Sequence, residues 1–290
     1  LQRERYSRAF IEQYIVPMGR AIWSATGSGM LNFPVRFFVD FFDRHGFLNI
    51  DDRPVWRTVR GGSREYVRQM ARVFTRDGRV TSRVGTPVKQ VCRHVDRVDI
   101  IDARGALDRF DYVVMACHSD QALAMLESPT HAERDVLGAF PYQPNEAILH
   151  TDARVLPRKP LARAAWNYHL RNPDTERVCL TYDMNVLQNI ESSTRFLVTL
   201  NRDDIDPAQI LGRYVYDHPV YTPQAVRAQA RRAEVSGHQR SFYCGAYWRY
   251  GFHEDGVVSA LWALDDFYKI AGGQRPPQPV LEPQRRPPPA

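Results

Sequence analysis

Phe242-Tyr243-Cys244-Gly245-Ala246-Tyr247-Trp248-Arg249-Tyr250-Gly251-Phe252-His253-Glu254-Asp255-Gly256-Val257-Val258-Ser259-Ala260 reads as a short apolar strand, an aromatic and glycine-rich loop, and the start of an apolar helix. The glycines let backbone approach a bulky ligand closely. The predicted helix covers 257–270, which places Gly256 at its N-terminus, where unpaired N–H groups face an electron-rich partner.

Working outward from that stretch, 222–234 is the next predicted helix. Ahead of it, half-buried alternation over 147–150, 165–170, 178–183 and 196–200, with short turns and no helix between, predicts an antiparallel sheet. Strands are expected over 80–84, 88–92 and 98–102, with Arg104-Gly105 as a turn. A buried strand over 110–116 precedes a helix over 121–126. Toward the start of the chain, Tyr6, Phe10, Ile11, Tyr14, Ile15 and Met18 fall at helical spacing, interrupted at Pro17. Pro34 opens a helix whose Phe37, Phe38, Phe41 and Phe42 are either core or the wall of an apolar substrate channel, closed by Gly46. Gly61-Gly62-Ser63 leads into a third helix, with Ser63 as N-cap and Tyr66, Met70, Val73 and Phe74 on one face.

The 290 residues carry thirty-six Arg but only Lys89, Lys159 and Lys269, for a net charge of +6. The arginines are interleaved with Asp and Glu, a solvated surface rather than a nucleic-acid face; only 227–240 approaches the latter. Cys92, Cys117, Cys179 and Cys244 are widely spaced, without zinc-like spacing, and fit a reducing, cytoplasmic compartment. No apolar run approaches the roughly 20 residues that span a bilayer. The chain opens on Leu1 already in helical periodicity, so sequence is expected upstream, and 273–290 reads as a disordered tail.

Gly27-Ser28-Gly29 has Asn32 at the third glycine position and no strand before it, so it reads as a loop rather than a dinucleotide fingerprint. Elsewhere there is no G-x-G-x-x-G, no nucleophile elbow and no zinc helix.

The blocks Trp56-Arg57-Thr58-Val59-Arg60-Gly61-Gly62-Ser63, Ala116-Cys117-His118-Ser119-Asp120-Gln121-Ala122-Leu123, Trp166-Asn167-Tyr168-His169 and Leu180-Thr181-Tyr182-Asp183-Met184-Asn185, together with 242–260, resemble a bacterial family of predicted NAD/FAD-binding oxidoreductases. That family is related to flavin amine oxidases and phytoene desaturases. The resemblance implies an α/β plus α+β fold of the FAD/NAD(P)-binding oxidoreductase type, with a discontinuous cofactor domain lacking its N-terminal βαβ unit here. Its implied divisions are 1–75 (helical part of the substrate domain), 76–127 (partial FAD domain), 128–236 (substrate domain, antiparallel sheet) and 237–272 (returning FAD strand and helix). The implied activity is hydride transfer from a C–N or C–C bond to FAD, with an apolar small molecule such as a lipid or isoprenoid as substrate. The competing reading is a non-catalytic remnant acting as a binding or scaffold protein.

By the same resemblance, Val88 touches the adenine through its backbone, and Gly245, Glu254, Asp255, Gly256 and Val257 lie against the cofactor. The family often has an acid after the glycine of its F-x-G motif; here Ala246 follows Gly245. His253 stands where related oxidases place a cage tyrosine. It can take a substrate proton, with Glu254 as a partner, or it simply caps the helix. Trp248, Tyr250 and Phe252 either wall the substrate side or are core. Tyr168 and Tyr182 are substrate-side candidates on the sheet, where alternation sends Tyr182 and Asp183 to opposite faces.

Overall fold

The structure, a computed structural model, describes residues 5–23, 27–31, 33–51, 55, 57–76, 78–170 and 177–273. Trp56, Asp77 and all of the expected tail except Gly273 lie outside them. Strands β1 (Val88–Arg93), β2 (Val98–Asp102) and β3 (Leu107–Phe110) form an antiparallel meander. Strand β4 (Val113–Met115) pairs in parallel with β10 (Ser241–Tyr243), the strand of the 242–260 stretch. Between them in sequence, β5 (Tyr142–His150), β6 (Trp166–Tyr168), β7 (Leu180–Asp183), β8 (Leu197–Leu200) and β9 (Ile210–Pro219) build a five-stranded antiparallel sheet in the order β6-β7-β8-β5-β9. The expected antiparallel sheet is present, with one short helix, Met184–Gln188, inserted between β7 and β8.

Several local expectations fail for identifiable reasons. Residues 80–84 form no strand: Val80 and Val84 are exposed, and Arg83 grips Asp108 of β3 through its guanidinium instead of joining a ladder. The run 110–116 is two strands, because Phe110 completes the meander while Val113 turns to β10. Arg240 holds that joint, donating to the carbonyls of Val95 (2.8 Å) and Asp111 (3.1 Å) with its charge over the Tyr112 ring. Ser63 makes no capping bond and is itself helical; left-handed Gly61 (φ 83°) and Gly62 (φ 86°) make the turn into the helix Arg64–Thr75. No residue of that helix is buried. Gly27-Ser28-Gly29 begins a short helix, Gly27–Leu31, rather than a loop. At Pro17 the N-terminal helix continues through a π-helical turn, Ile11–Ile15, which absorbs the missing proline donor.

Sequence reading also missed the helix His131–Leu137 and the long edge strand β9. The helix has a capping box: Thr130 Oγ1 accepts from the Glu133 N–H, and Glu133 Oε2 accepts from the Thr130 N–H (2.8 Å). Glu133 is buried and pairs with the equally buried Arg93 of β1. It also accepts from the Tyr243 hydroxyl of β10 at 2.6 Å. One carboxylate thus ties the meander, the helix and the parallel strand pair together.

The helix Val35–Arg44 resolves its alternatives toward core. All four of its phenylalanines are buried, packed with Trp23, Phe33, Phe47, Tyr221 and Tyr250. Phe41 meets Trp23 edge-on at 4.9 Å, and Phe37 lies 4.7 Å from Tyr250. The arginines of 227–240 are similarly occupied: Arg231 bridges Asp135 and Glu234, and Arg232 pairs with Asp266. All four cysteines are free. Among the described residues no helix is long and apolar enough to cross a membrane, and no group of side chains could hold a metal ion.

Candidate functional site

Because β4 and β10 run in parallel, the loops that leave them, 116–118 and 244–251, emerge at the same carboxyl end. In open α/β sheets that end is where ligands bind. Gly245 N–H donates to Ser259 Oγ (2.8 Å), which donates on to the Gly256 carbonyl (2.7 Å). The loop is thereby tied to the first turns of the last helix, His253–Ala271. Gly245 itself is required internally, since a Cβ there would lie 2.4 Å from the Tyr247 ring. Gly251 is left-handed (φ 95°), and a Cβ there would meet the Tyr221 hydroxyl at 2.7 Å.

The last helix begins earlier than expected. Asp255, buried, accepts from the Phe252 N–H at 3.0 Å and lies 3.4 Å from Arg249, so the first helical residue is His253. The Gly256 N–H is therefore not free but donates to the Phe252 carbonyl at 3.1 Å. The unpaired amides of the first turn belong to His253, Glu254 and Asp255. Gly256 is nevertheless informative. Glycine inside a helix costs about 1 kcal/mol relative to alanine, yet a Cβ here would meet no atom within 4 Å. Among the described residues, nothing demands glycine at this position.

Six buried side-chain atoms among the described residues have no hydrogen-bond partner in the chain, and five belong to this neighbourhood: His118 Nδ1, Gln143 Nε2, Tyr221 Oη, Tyr247 Oη and Trp248 Nε1. His118 stacks on Tyr142 at 4.5 Å, and the Tyr142 hydroxyl accepts from the Ser119 N–H at 3.0 Å. Gln143 is opposite His218 in the β5–β9 pair, and His218 Nδ1 lies 3.3 Å from Asn145 Nδ2. Tyr247 packs beside Trp248 at 5.0 Å. Orphaned buried polar atoms are costly and rare in native folds, and five of the six gather here.

Burial raises the Cys117, Cys244 and Tyr142 groups above their ordinary values, and raises Tyr221 and Tyr247 well above them. These thiols and phenols are therefore protonated at neutral pH. Burial, reinforced by the charge of His118, pushes His218 down, and burial does the same to His150. Both histidines are neutral when folded, so the unfolded chain binds more protons below about pH 6.5. Stability is expected to decline as pH falls below that point. A second loss follows below about pH 4, as Asp152, held low by Arg154, and Glu133 are protonated. At Glu133, burial pushes the carboxyl up, but bonds from Arg93 and Tyr243 outweigh it. Urea midpoints across a pH series test this. A midpoint that stayed level between about pH 7 and pH 5 would contradict the buried-histidine argument.

The structure brings some predicted site residues together and separates others. Gly245, Trp248, Asp255 and Gly256 share the loop–helix junction. Trp248 is only 2% exposed and packs edge-on against Phe140, which makes it core. Tyr250 joins the phenylalanine cluster, whereas Phe252 is 40% exposed and stacks on Phe41. His253, Glu254 and Val257 are exposed. The partner of His253 is Tyr66, whose hydroxyl lies 3.2 Å from Nδ1, rather than Glu254. Tyr168 and Tyr182 share one sheet face with Trp166, toward the β6 edge, whereas β5 and β9 at the other edge supply Tyr142, Gln143 and His218 to the site. Asp183, on the opposite face, caps the helix Met184–Gln188 and pairs with Arg195. Val88 stands apart at the start of β1. Sequence reading assigned no role to Cys117, His118, Tyr142, Gln143, His218 or Tyr221. The available signal was a cysteine and histidine directly after a buried strand.

A parallel strand pair whose outgoing loops meet the start of a glycine-bearing helix is an arrangement that α/β folds use to hold ligands. Residues 15–204 match the family model of flavin containing amine oxidoreductase, and the chain belongs to that family. The matched span ends before residue 242, so the assignment does not depend on the 242–260 stretch. No curated protein matches the chain. Among solved structures, cyclohexylamine oxidase from Brevibacterium oxydans IH-35A is similar in fold, with a TM-score of 0.62 and 11% identity over 93% of this chain and 66% of its own. A fatty acid isomerase from P. acnes (12% identity, TM-score 0.44, 64% of this chain and 47% of its own) and a putrescine oxidase mutant (11%, 0.47, 72% and 53%) also match. The chain spans about half to two thirds of the length of these structures. Family membership implies FAD as the cofactor. The residues fit it: Gly256 leaves helix backbone open to close approach, and the orphaned donors and acceptors offer partners to a flat, polar-edged ring.

Proposed function

We propose that this chain supplies the ring-binding side of an FAD-dependent oxidoreductase acting on an apolar small molecule. The carrying observation is an internally unneeded helix glycine, Gly256, together with five orphaned polar atoms, three of them on the segments that leave β4 and β10. On this reading, 76–127 and 237–272 are parts of one cofactor domain and 128–236 belongs to the substrate domain. No G-x-G-x-x-G occurs within these 290 residues, so on this reading they contribute contacts to the ring and, at Val88, to the adenine.

When bound, the flavin supplies the hydride acceptor. The unpaired amides of His253, Glu254 and Asp255 favour negative charge beside the helix N-terminus. If His253 donates its Nδ1–H to Tyr66, Nε2 presents a lone pair to take a substrate proton. Phe252 and Val257, exposed beside it, form an apolar approach. The remnant reading differs by predicting no turnover from any flavin-loaded form.

Titration of FAD with the purified chain, followed by flavin fluorescence, tests the site. Quenching that riboflavin competes away and ADP does not is the expected result. FAD fluorescence unmoved at every protein concentration would end the proposal. Turnover confined to small hydrophilic amines would overturn the apolar-substrate part alone.

A further inference from the structure

Strand β9 is the outer edge of the five-stranded sheet, and its pairing with β5 fixes which way each residue faces. The Glu146 N–H donates to Asn201 Oδ1 and its carbonyl accepts from the Asn201 N–H, so Glu146 turns its backbone toward β8. Its neighbours Asn145 and Ala147 therefore turn theirs toward β9, where they stand opposite Tyr216 and Tyr214. It follows that Tyr214 and Tyr216 are bonded inward. Arg213, Val215 and Asp217 direct their N–H and C=O groups away from the sheet, and no strand among the described residues pairs with them.

This edge has few of the usual protections against pairing. It is ten residues long, and Leu211, Tyr214, Val215 and Tyr216 are all exposed. Pro219, which has no N–H, closes only its far end. Its charges are also arranged symmetrically, with Arg213 and Asp217 each two residues from Val215.

We propose that β9 pairs with β9 of a second copy of this chain, antiparallel, about a two-fold axis through Val215. Val215 then exchanges backbone bonds with the partner's Val215. Arg213 stands directly opposite the partner's Asp217, and Asp217 opposite the partner's Arg213. On the other face Tyr214 meets the partner's Tyr216. Every outward N–H from Arg213 to Asp217 gains an acceptor, and the two sheets become continuous. The contact is isologous, so it closes at a dimer. The neighbouring registers that also match outward groups lose the charge pairing. An axis through Tyr214 sets Asp217 against the partner's Leu211, and one through Tyr216 sets Arg213 against the partner's Pro219. Opposite charges facing each other across a ladder are favourable and like charges are not, so the charges select the register. Arg213 already donates to Glu146 at 2.8 Å, and its remaining N–H groups are enough for a second carboxylate.

Sedimentation velocity of the chain should show a concentration-dependent dimer. Hydrogen exchange should slow at Arg213, Val215 and Asp217 as the dimer fills, a measurement that needs no variant. Val215→Pro removes only an outward N–H and should give a folded monomer by circular dichroism. Arg213→Asp and Asp217→Arg should each weaken dimerisation by at least about tenfold. Mixed together, those two chains should form a heterodimer, because each supplies the charge that the other needs. A chain that stays monomeric, a dimer indifferent to Val215→Pro, or outward amides that exchange equally fast in monomer and dimer would each overturn the proposal. Two charge variants that fail to associate on mixing would overturn the register.

Discussion

Glu133→Ala is expected to lower the stability of the chain by about 3–5 kcal/mol, because it strands a buried cation rather than merely deleting a contact. The Arg93 side chain is 4% exposed and that of Glu133 is 2% exposed, so neither has water to fall back on. With the carboxylate gone, the guanidinium keeps the Ser128 carbonyl at 2.9 Å and the neighbouring Tyr243 hydroxyl, neither of which carries a charge. The Tyr243 hydroxyl loses its acceptor as well, and Thr130 loses its reciprocal cap. Urea denaturation near neutral pH measures the loss. Glu133→Gln should cost less, since it keeps the volume and one acceptor oxygen. A change below about 1 kcal/mol for Glu133→Ala, the scale of an ordinary hydrogen bond, would show that the Arg93 charge finds water after all. Position 133 matters to function because Tyr243 immediately precedes the Cys244–Gly251 loop of the candidate site. A loosened Glu133 cluster would release β10 from the position that aims that loop.

Gly256→Leu is expected to have opposite effects on stability and cofactor binding. Replacing a helix-interior glycine favours the helix by up to about 1 kcal/mol, and the space around its Cα accepts a side chain without a clash. The thermal midpoint should hold or rise. Flavin binding should fall by two orders of magnitude or more, roughly 3 kcal/mol by the usual conversion, because the new side chain occupies the surface that the glycine leaves open. The paired readout separates the two explanations of the glycine. A variant that is stabilised yet still quenches flavin fluorescence like the parent would remove Gly256 from the site.

Much of this architecture was legible from local pattern. The strand, loop and helix of 242–260 are present in that order, and β2 and the helix with four phenylalanines fall where their patterns put them. Strand β9 was not legible: as an edge strand exposed on both faces, it shows no alternation to detect. The apolar spacing of 80–84 was a false signal, because no strand stood beside it to supply hydrogen bonds. The start of the last helix was misplaced because an aspartate three residues past Phe252 caps it. A reading that follows apolar periodicity begins only at Val257.

The candidate site divides in the same way. Gly245 and Gly256 announced themselves by residue type, yet their reasons differ. Gly245 makes room for Tyr247 within the chain, whereas a Cβ at Gly256 would meet nothing within 4 Å. His118, Gln143 and Tyr221 gave no such signal. Each is an ordinary polar residue in sequence, and only the folded arrangement shows an atom buried without a partner.

By itself, the sequence determined the strand, loop and helix of 242–260, the antiparallel character of the central sheet and the glycine-rich approach to the last helix. These depend on periodicity and on residues with restricted or permissive backbones, and neighbours a few positions apart are enough to express them. Only the tertiary structure decided that β10 pairs with β4, that Glu133 carries their shared support, and that the loops from both strands leave at the same end. Those outcomes rest on contacts between residues more than a hundred positions apart, such as Glu133 and Tyr243. Pairings of that kind leave no periodic trace in the chain that makes them.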